Sequence, residues 1–320
     1  MRTEPVEFFS DGVRLRGYLR WPDTPASEAL PVLVQGPGWL GLATSKRYEV
    51  WHEGFTRSGF AVLVFDYRGF GESDGEPGWI NPELQLQDIA NAVTYLETRP
   101  DIDPRRIGGF GMGGVGGGNA IIAAARDPRI RCVVAQTVVA DGADWLHRMR
   151  REHEWVDYLR RLDADRQRWV REGSGERVDP RQELMVATPE RAQAKGHLDS
   201  GLEPGIYLRS AEFLLQYRPI DEVDRVAPRA LLITSVASDA VTPEDHALAL
   251  YEKAGAPKKL IHQTNTTHYQ SQVDNYDVLL EQFVDWYNRY LCSSPIEVRQ
   301  ELLAADGARS AERVDVAAAR

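Results

Sequence analysis

The run Gly108-Gly109-Phe110-Gly111-Met112-Gly113-Gly114-Val115-Gly116-Gly117-Gly118 constrains this chain more than any other stretch. It follows a strand-like lead, Arg105-Arg106-Ile107, and precedes a helix-like run, Asn119-Ala120-Ile121-Ile122-Ala123-Ala124-Ala125. A strand, a glycine-rich turn and a helix frame two devices. One is the nucleophile elbow, G-x-S-x-G. The other is the dinucleotide-binding turn, G-x-G-x-x-G, which Gly109, Gly111 and Gly114 satisfy. In the first reading the place of the serine is taken by Gly113.

The pattern around this run is an alternation of strands and helices. Val6 to Trp21 alternates about an Asp11-Gly12 turn and reads as two antiparallel strands at a sheet edge. Short apolar runs at 31–35, 61–65, 107–110, 132–139, 230–235 and 259–262 read as strands, those at 31–35 and 61–65 as strands buried on both faces. Helical patterns occupy 48–58, 82–98, 119–126, 243–254 and 273–291. Such alternation predicts an α/β fold with a mostly parallel, doubly wound sheet. It is interrupted between Asp141 and Asp224 by an Arg- and Glu-rich helical stretch, so 1–140 and 225–292 form the core and 141–224 a helical cap insertion. The tail, 293–320, reads as one loose, mobile helix.

Composition excludes several functions. The 320 residues carry a formal net charge of −10, which argues against a nucleic-acid partner. No apolar run approaches the ~20 residues needed to cross a bilayer, and Met1-Arg2-Thr3-Glu4-Pro5 opens no apolar signal segment. Cys132 and Cys292 are too few for a disulfide framework, so a cytoplasmic setting is expected. The seven histidines show no metal-ligand spacing, and neither metal nor other cofactor is expected. The expected partner is a small-molecule substrate, with a homodimer left open.

In open parallel sheets, ligands bind beyond the carboxyl ends of the strands. Three segments arrive there. Gln35-Gly36-Pro37-Gly38-Trp39-Leu40-Gly41 is a loop whose N–H groups can face a developing oxyanion, or a plain glycine turn. Ser238-Asp239-Ala240-Val241-Thr242-Pro243 brings a carboxylate that either caps the next helix or orients a histidine. Thr266-Thr267-His268-Tyr269 brings a histidine in a small polar loop. Elbow, acid and histidine follow one another in the chain order of α/β-hydrolases.

Four segments make the likeness specific. Phe65-Asp66-Tyr67-Arg68-Gly69-Phe70-Gly71-Glu72-Ser73-Asp74-Gly75 matches D-Y-R-G-F-G-E-S-D-G, and Asp103-Pro104-Arg105-Arg106-Ile107 matches D-P-x-R-I. Pro37 to Gly41 aligns with H-G-F-G-G, and Phe110 to Gly117 with W-G-T-S-F-S-G-G. From Val6 to Leu291 the chain thus resembles the dienelactone-hydrolase-like and S15-peptidase-like esterase group of bacterial α/β-hydrolases. The resemblance implies His268 and Asp239 as the catalytic pair and Gly113 as the position of the missing nucleophile. It also implies the backbone N–H groups of Trp39 and Gly114 as an oxyanion hole. Trp145, His147, Trp155 and Tyr158 of the insertion are substrate-pocket candidates, or equally the insertion's own core. Asp141 is a second candidate acid.

The reading is an enzyme without a serine nucleophile, in which His268, oriented by Asp239, acts as a general base on a small activated carbonyl compound such as a lactone, ester or diketone. Two alternatives stand beside it. One is a non-catalytic ligand-binding protein on the same fold. The other is a dinucleotide-binding protein, weakened because Arg129-Ile130-Arg131-Cys132 stands where that fingerprint wants an acid.

Overall fold

Eight strands form one sheet in the order β1-β2-β4-β3-β5-β6-β9-β10. They are β1 (Arg2–Ser10), β2 (Val13–Trp21), β3 (Leu30–Gln35), β4 (Ala61–Phe65), β5 (Ile102–Met112), β6 (Ile130–Gln136), β9 (Ala230–Val236) and β10 (Lys258–Gln263). The structure is a computed structural model describing residues 1–24, 28–38, 42–185, 188–189, 205–292, 297–303 and 309–315. The first two strands form the edge hairpin predicted from Asp11-Gly12; both turn residues have positive φ, 48° and 84°, as a two-residue turn between right-twisted strands demands. β2 also meets β4 antiparallel, and every other pairing is parallel.

Every residue of β4 and β9 is buried, because helices cover both faces. On one face α1 (Lys46–Arg57) and α8 (Tyr276–Tyr287) close over Trp51, Phe55, Phe110 and Phe283. On the other, α2 (Pro82–Glu97) and α3 (Gly114–Arg126) bury Leu86, Ile89, Val93 and Ile121. Asn81 caps α2, its side chain accepting from the N–H groups of Glu83 and Leu84, with Pro82 in the first turn, where the missing N–H costs nothing. A further core helix is α7 (Glu244–Lys253).

Two boundaries depart from expectation around the glycine run. β5 starts earlier, at Ile102, and α3 begins at Gly114 rather than Asn119. Local propensity argues against three glycines inside a helix; close packing overrides it. A Cβ at Gly116 would lie 3.0 Å from Gly38 Cα, and one at Gly118 would lie 2.3 Å from the Tyr217 hydroxyl. β6 stops at Gln136, short of the predicted Val139, because Thr137 turns with φ 47°.

The insertion contributes α4 (Gly142–Arg148), α5 (Glu152–Glu172) and α6 (Ser210–Leu215). It also holds a short antiparallel pair, β7 (Arg177–Val178) with β8 (Ile206–Tyr207). It is bonded to the core at several points. Trp145 Nε1 donates to the Val241 carbonyl at 2.8 Å, His246 Nε2 lies 2.6 Å from Asp144 Oδ2, and the Tyr217 hydroxyl donates to the Val115 carbonyl at 3.1 Å. In the tail the expected single helix is not found: β11 (Glu297–Leu303) and β12 (Arg309–Asp315) pair antiparallel. The rest of that tail lies outside the described residues. Both cysteines are free thiols, and among the described residues no helix is long and apolar enough to cross a membrane.

Candidate active site

The loops after β9 and β10 bring Asp239 and His268 together. His268 Nδ1 is 2.7 Å from Asp239 Oδ2, and both side chains are almost fully buried, at 5% and 1% exposure. An ionised carboxylate only accepts, so His268 carries its proton on Nδ1 and leaves Nε2 as the basic nitrogen. Asp239 is itself held by its own loop. Its Oδ1 accepts from the N–H groups of Val241 at 2.7 Å and Thr242 at 2.9 Å, and its Oδ2 accepts from the Thr242 hydroxyl at 2.9 Å. Burial works to raise the Asp239 carboxyl; the charge and hydrogen bond of His268 and the two backbone donors outweigh it and hold the carboxyl below its ordinary value. Asp239 therefore ties the turn ahead of α7 and holds His268 Nδ1; it does not cap that helix, whose N-cap is Pro243 without a side-chain bond.

Thr242 escaped the sequence reading. Its hydroxyl also lies 3.2 Å from His268 Nδ1, and its methyl faces the glycine run. A Cβ built at Gly114 would lie 2.7 Å from Val139 Cγ2 and 3.1 Å from Thr242 Cγ2. Thr242 thus joins the acid–histidine pair to the start of α3. The recognisable cue was its place three residues after the acid, the spacing of a side-chain-capped turn.

Position 113 sits on the sharp turn between β5 and α3, as the N-cap of that helix, with φ 76° and ψ 171°. A Cβ there would meet nothing within 4 Å. The first N–H groups of any helix have no intrahelical acceptor and form its positive end, so the amide of Gly114 opens a donor-rich turn. On the opposite side the loop after β3 is fastened by the Gly38 N–H, which donates to the Tyr48 hydroxyl at 2.7 Å. Trp39, the other oxyanion-hole candidate, lies outside the described residues.

The chain matches the X-Pro dipeptidyl-peptidase (S15 family) over residues 11–270. It belongs to that family. An uncharacterised 31.7 kDa protein of the traX-finO intergenic region of Escherichia coli is 31% identical over 220 residues, covering 67% of this chain and 75% of the relative. The thiohydrolase apmlB of Arthrinium phaeospermum is 39% identical over 135 residues, 42% of each chain. Among solved structures, the α/β-hydrolase GrgF from Penicillium sp. sh18 superposes with a TM-score of 0.78 at 22% identity, covering 92% of this chain and 100% of GrgF. This S15-family chain has the α/β-hydrolase fold, the fold expected from its sequence.

The insertion residues fall into two places. Trp145 is buried at 1% exposure beside the Asp239 loop, through its bond to Val241. His147, Trp155 and Tyr158 stack in series, with ring centres 4.9 and 5.8 Å apart. His147 is 2.9 Å from Glu152 Oε2, and Arg150 lies 3.8 Å over the Tyr158 ring. Asp141 caps α4 by accepting from the Asp144 N–H at 3.1 Å and pairs with Arg218; Asp239 is the acid on His268. Among the described residues no group of three or more His, Cys, Asp or Glu side chains is disposed to hold a metal.

Proposed function

We propose that this chain is an enzyme of hydrolase type that works without a serine nucleophile, with Gly113 at the nucleophile position. His268, oriented by Asp239, removes a proton from water or from an acidic substrate carbon. The N–H groups of Trp39 and Gly114 receive the developing oxyanion. The substrate is a small activated carbonyl compound: a lactone, an ester or a diketone. The insertion 141–224 acts as a cap, with Trp145, His147, Trp155 and Tyr158 as its substrate-facing candidates. The observation carrying this reading is the buried 2.7 Å Asp239–His268 pair beside a turn whose position 113 is open around its missing side chain. The hydrolytic name of the thiohydrolase relative supports the same class.

A hydroxyl-free site retains considerable catalytic capacity. General-base catalysis contributes about 10²–10⁴-fold, and preorganised oxyanion donors contribute a further share. A purely binding protein has no use for a histidine fixed in one tautomer by a buried carboxylate. Dinucleotide binding is disfavoured because Gly109 and Gly111 lie inside β5, paired with Val133 and Ala135, rather than in a loop open to a pyrophosphate. The test is turnover of a panel of aryl esters, strained lactones and β-diketones by the native chain and by His268→Ala. We expect at least one class to be turned over and the variant to lose about 10²–10⁴-fold. Equal rates for the two proteins on every turned-over class would end the proposal.

A further inference from the structure

Arg47 stands in the first turn of α1, half-buried, with its guanidinium carbon 4.6 Å from the centre of the Tyr269 ring. Tyr269 in turn meets the imidazole of His268 edge-on, ring centres 4.8 Å apart at 85°. A single aromatic ring therefore separates a permanent cation from the proposed base. Its chain neighbour Tyr48 fastens Gly38 through its hydroxyl. The cation thus lies against the loop after β10, the loop that carries His268.

Its position is costly. Burial draws the guanidinium below its ordinary pKa, and only the two tyrosines act against that. A cation in the first turn of a helix also opposes the helix dipole. Other arginines offset such costs locally. Arg68 and Arg126 hold carboxylates at 2.6 Å, and Arg150, without a carboxylate, donates to the carbonyls of Leu146 and Leu184 at 2.8 Å. Among the described residues neither a carboxylate nor a carbonyl accepts from Arg47. What it has is the face of Tyr269, which leaves its N–H groups unused.

We infer that Arg47 is the subsite for an anionic group of the substrate, a carboxylate, so that the substrate is an activated carbonyl compound bearing a carboxylate a short chain away from the reacting carbon. A guanidinium presents its N–H groups in a planar fork that matches a carboxylate's two oxygens. Tyr269 holds that fork in one plane beside His268, which fixes the reacting carbonyl at a set distance from the base. This inference rests on the reading of His268 as the base for its place in a reaction, but its binding component can be measured without turnover.

The probes are monomethyl glutarate, which is anionic, and dimethyl glutarate, its neutral counterpart, with binding followed by ligand-observed NMR. The native protein should bind the half-ester about tenfold more tightly than the diester, as one charge-assisted fork predicts. Arg47→Gln should erase that preference and leave diester binding unchanged, and Arg47→Lys should keep part of it. Equal binding of the two probes by the native protein, or a preference that survives in Arg47→Gln, overturns the inference. A preference present in the native protein and lost in Arg47→Gln, with no turnover of either ester, upholds the subsite and counts against the catalytic reading alone.

Discussion

Asp239 accepts the hydrogen bond of His268 Nδ1–H at 2.7 Å with one carboxylate oxygen, while its other oxygen accepts from the N–H groups of Val241 and Thr242. The acid is thus locked before it meets the histidine, and the imidazole has one orientation and one tautomer. Asp239→Asn keeps the shape but offers an N–H2 donor where His268 needs an acceptor. The ring must then shift its proton to Nε2 and lose its basic nitrogen. We expect turnover to fall about 10²–10⁴-fold with little change in substrate binding, measured as a drop in kcat at near-constant KM. A variant that retained native kcat would show that the pair has no part in the reaction.

Position 113 combines free space with a backbone that L-residues resist. With φ 76° and nothing within 4 Å of a built Cβ, a serine fits but is strained by about 1–3 kcal/mol. Gly113→Ser should therefore lower the melting temperature. If His268 is poised at this turn, the new hydroxyl should also become a nucleophile. A fluorophosphonate should label the variant at residue 113, read by intact-protein mass, and leave the native chain unlabelled. A folded variant that resists labelling would place His268 out of reach of the turn.

Much of this site was legible in advance because its parts are local. The strand, turn and helix around 113, the acid after β9 and the histidine after β10 each sit in one short segment. The Phe65–Gly75 segment, which carries the family resemblance, has a physical role in the structure. Asp66 accepts from the N–H groups of Ala43 at 2.7 Å and Glu72 at 3.0 Å, and Arg68 pairs with the buried Asp88. Asp66 and Arg68 knot loops together; neither is bonded to Asp239 or His268. Residues whose meaning depends on distant partners were missed. Arg47 has no cue in the sequence, since only the fold brings Tyr269 beside it. The early start of α3 was missed for the same reason: Gly116 and Gly118 are chosen by Gly38 and Tyr217, which lie far away in sequence.

The glycines of the run are not interchangeable, and their substitutions should separate steric from conformational cost. A Cβ at Gly111 would stand 2.3 Å from the Gly116 carbonyl oxygen and 2.8 Å from Gly117 Cα. Both are backbone atoms, so β5 and α3 would have to move apart. Gly111→Ala should cost more than the about 1–3 kcal/mol typical of core overpacking. Gly113→Ala meets no atoms and carries backbone strain alone. Urea denaturation of the two variants should rank Gly111→Ala as clearly the less stable. The reverse order would mean that α3 is seated differently on β5.

His52 makes the stability of this fold depend on pH. It is fully buried on α1, with Nε2 2.5 Å from Gln35 Oε1. Burial, helped by the charge of Arg20, holds its imidazole well below the ordinary value of 6.5. The folded protein thus keeps the ring neutral, while the unfolded chain takes up a proton once the pH drops below about 6.5. Between the depressed folded value and the ordinary one the unfolded state binds more protons, so stability rises with pH across that window. The contribution is complete above about 6.5 and is lost as the pH falls below it, at no more than about 1.4 kcal/mol per pH unit for one proton. His52→Gln can still donate to Gln35 but does not titrate. Urea unfolding at about pH 7.5 and about pH 5 should show the native chain losing about 1–2 kcal/mol more than the variant over that interval. Parallel losses would mean that His52 takes up its proton as readily in the folded chain as in the unfolded one.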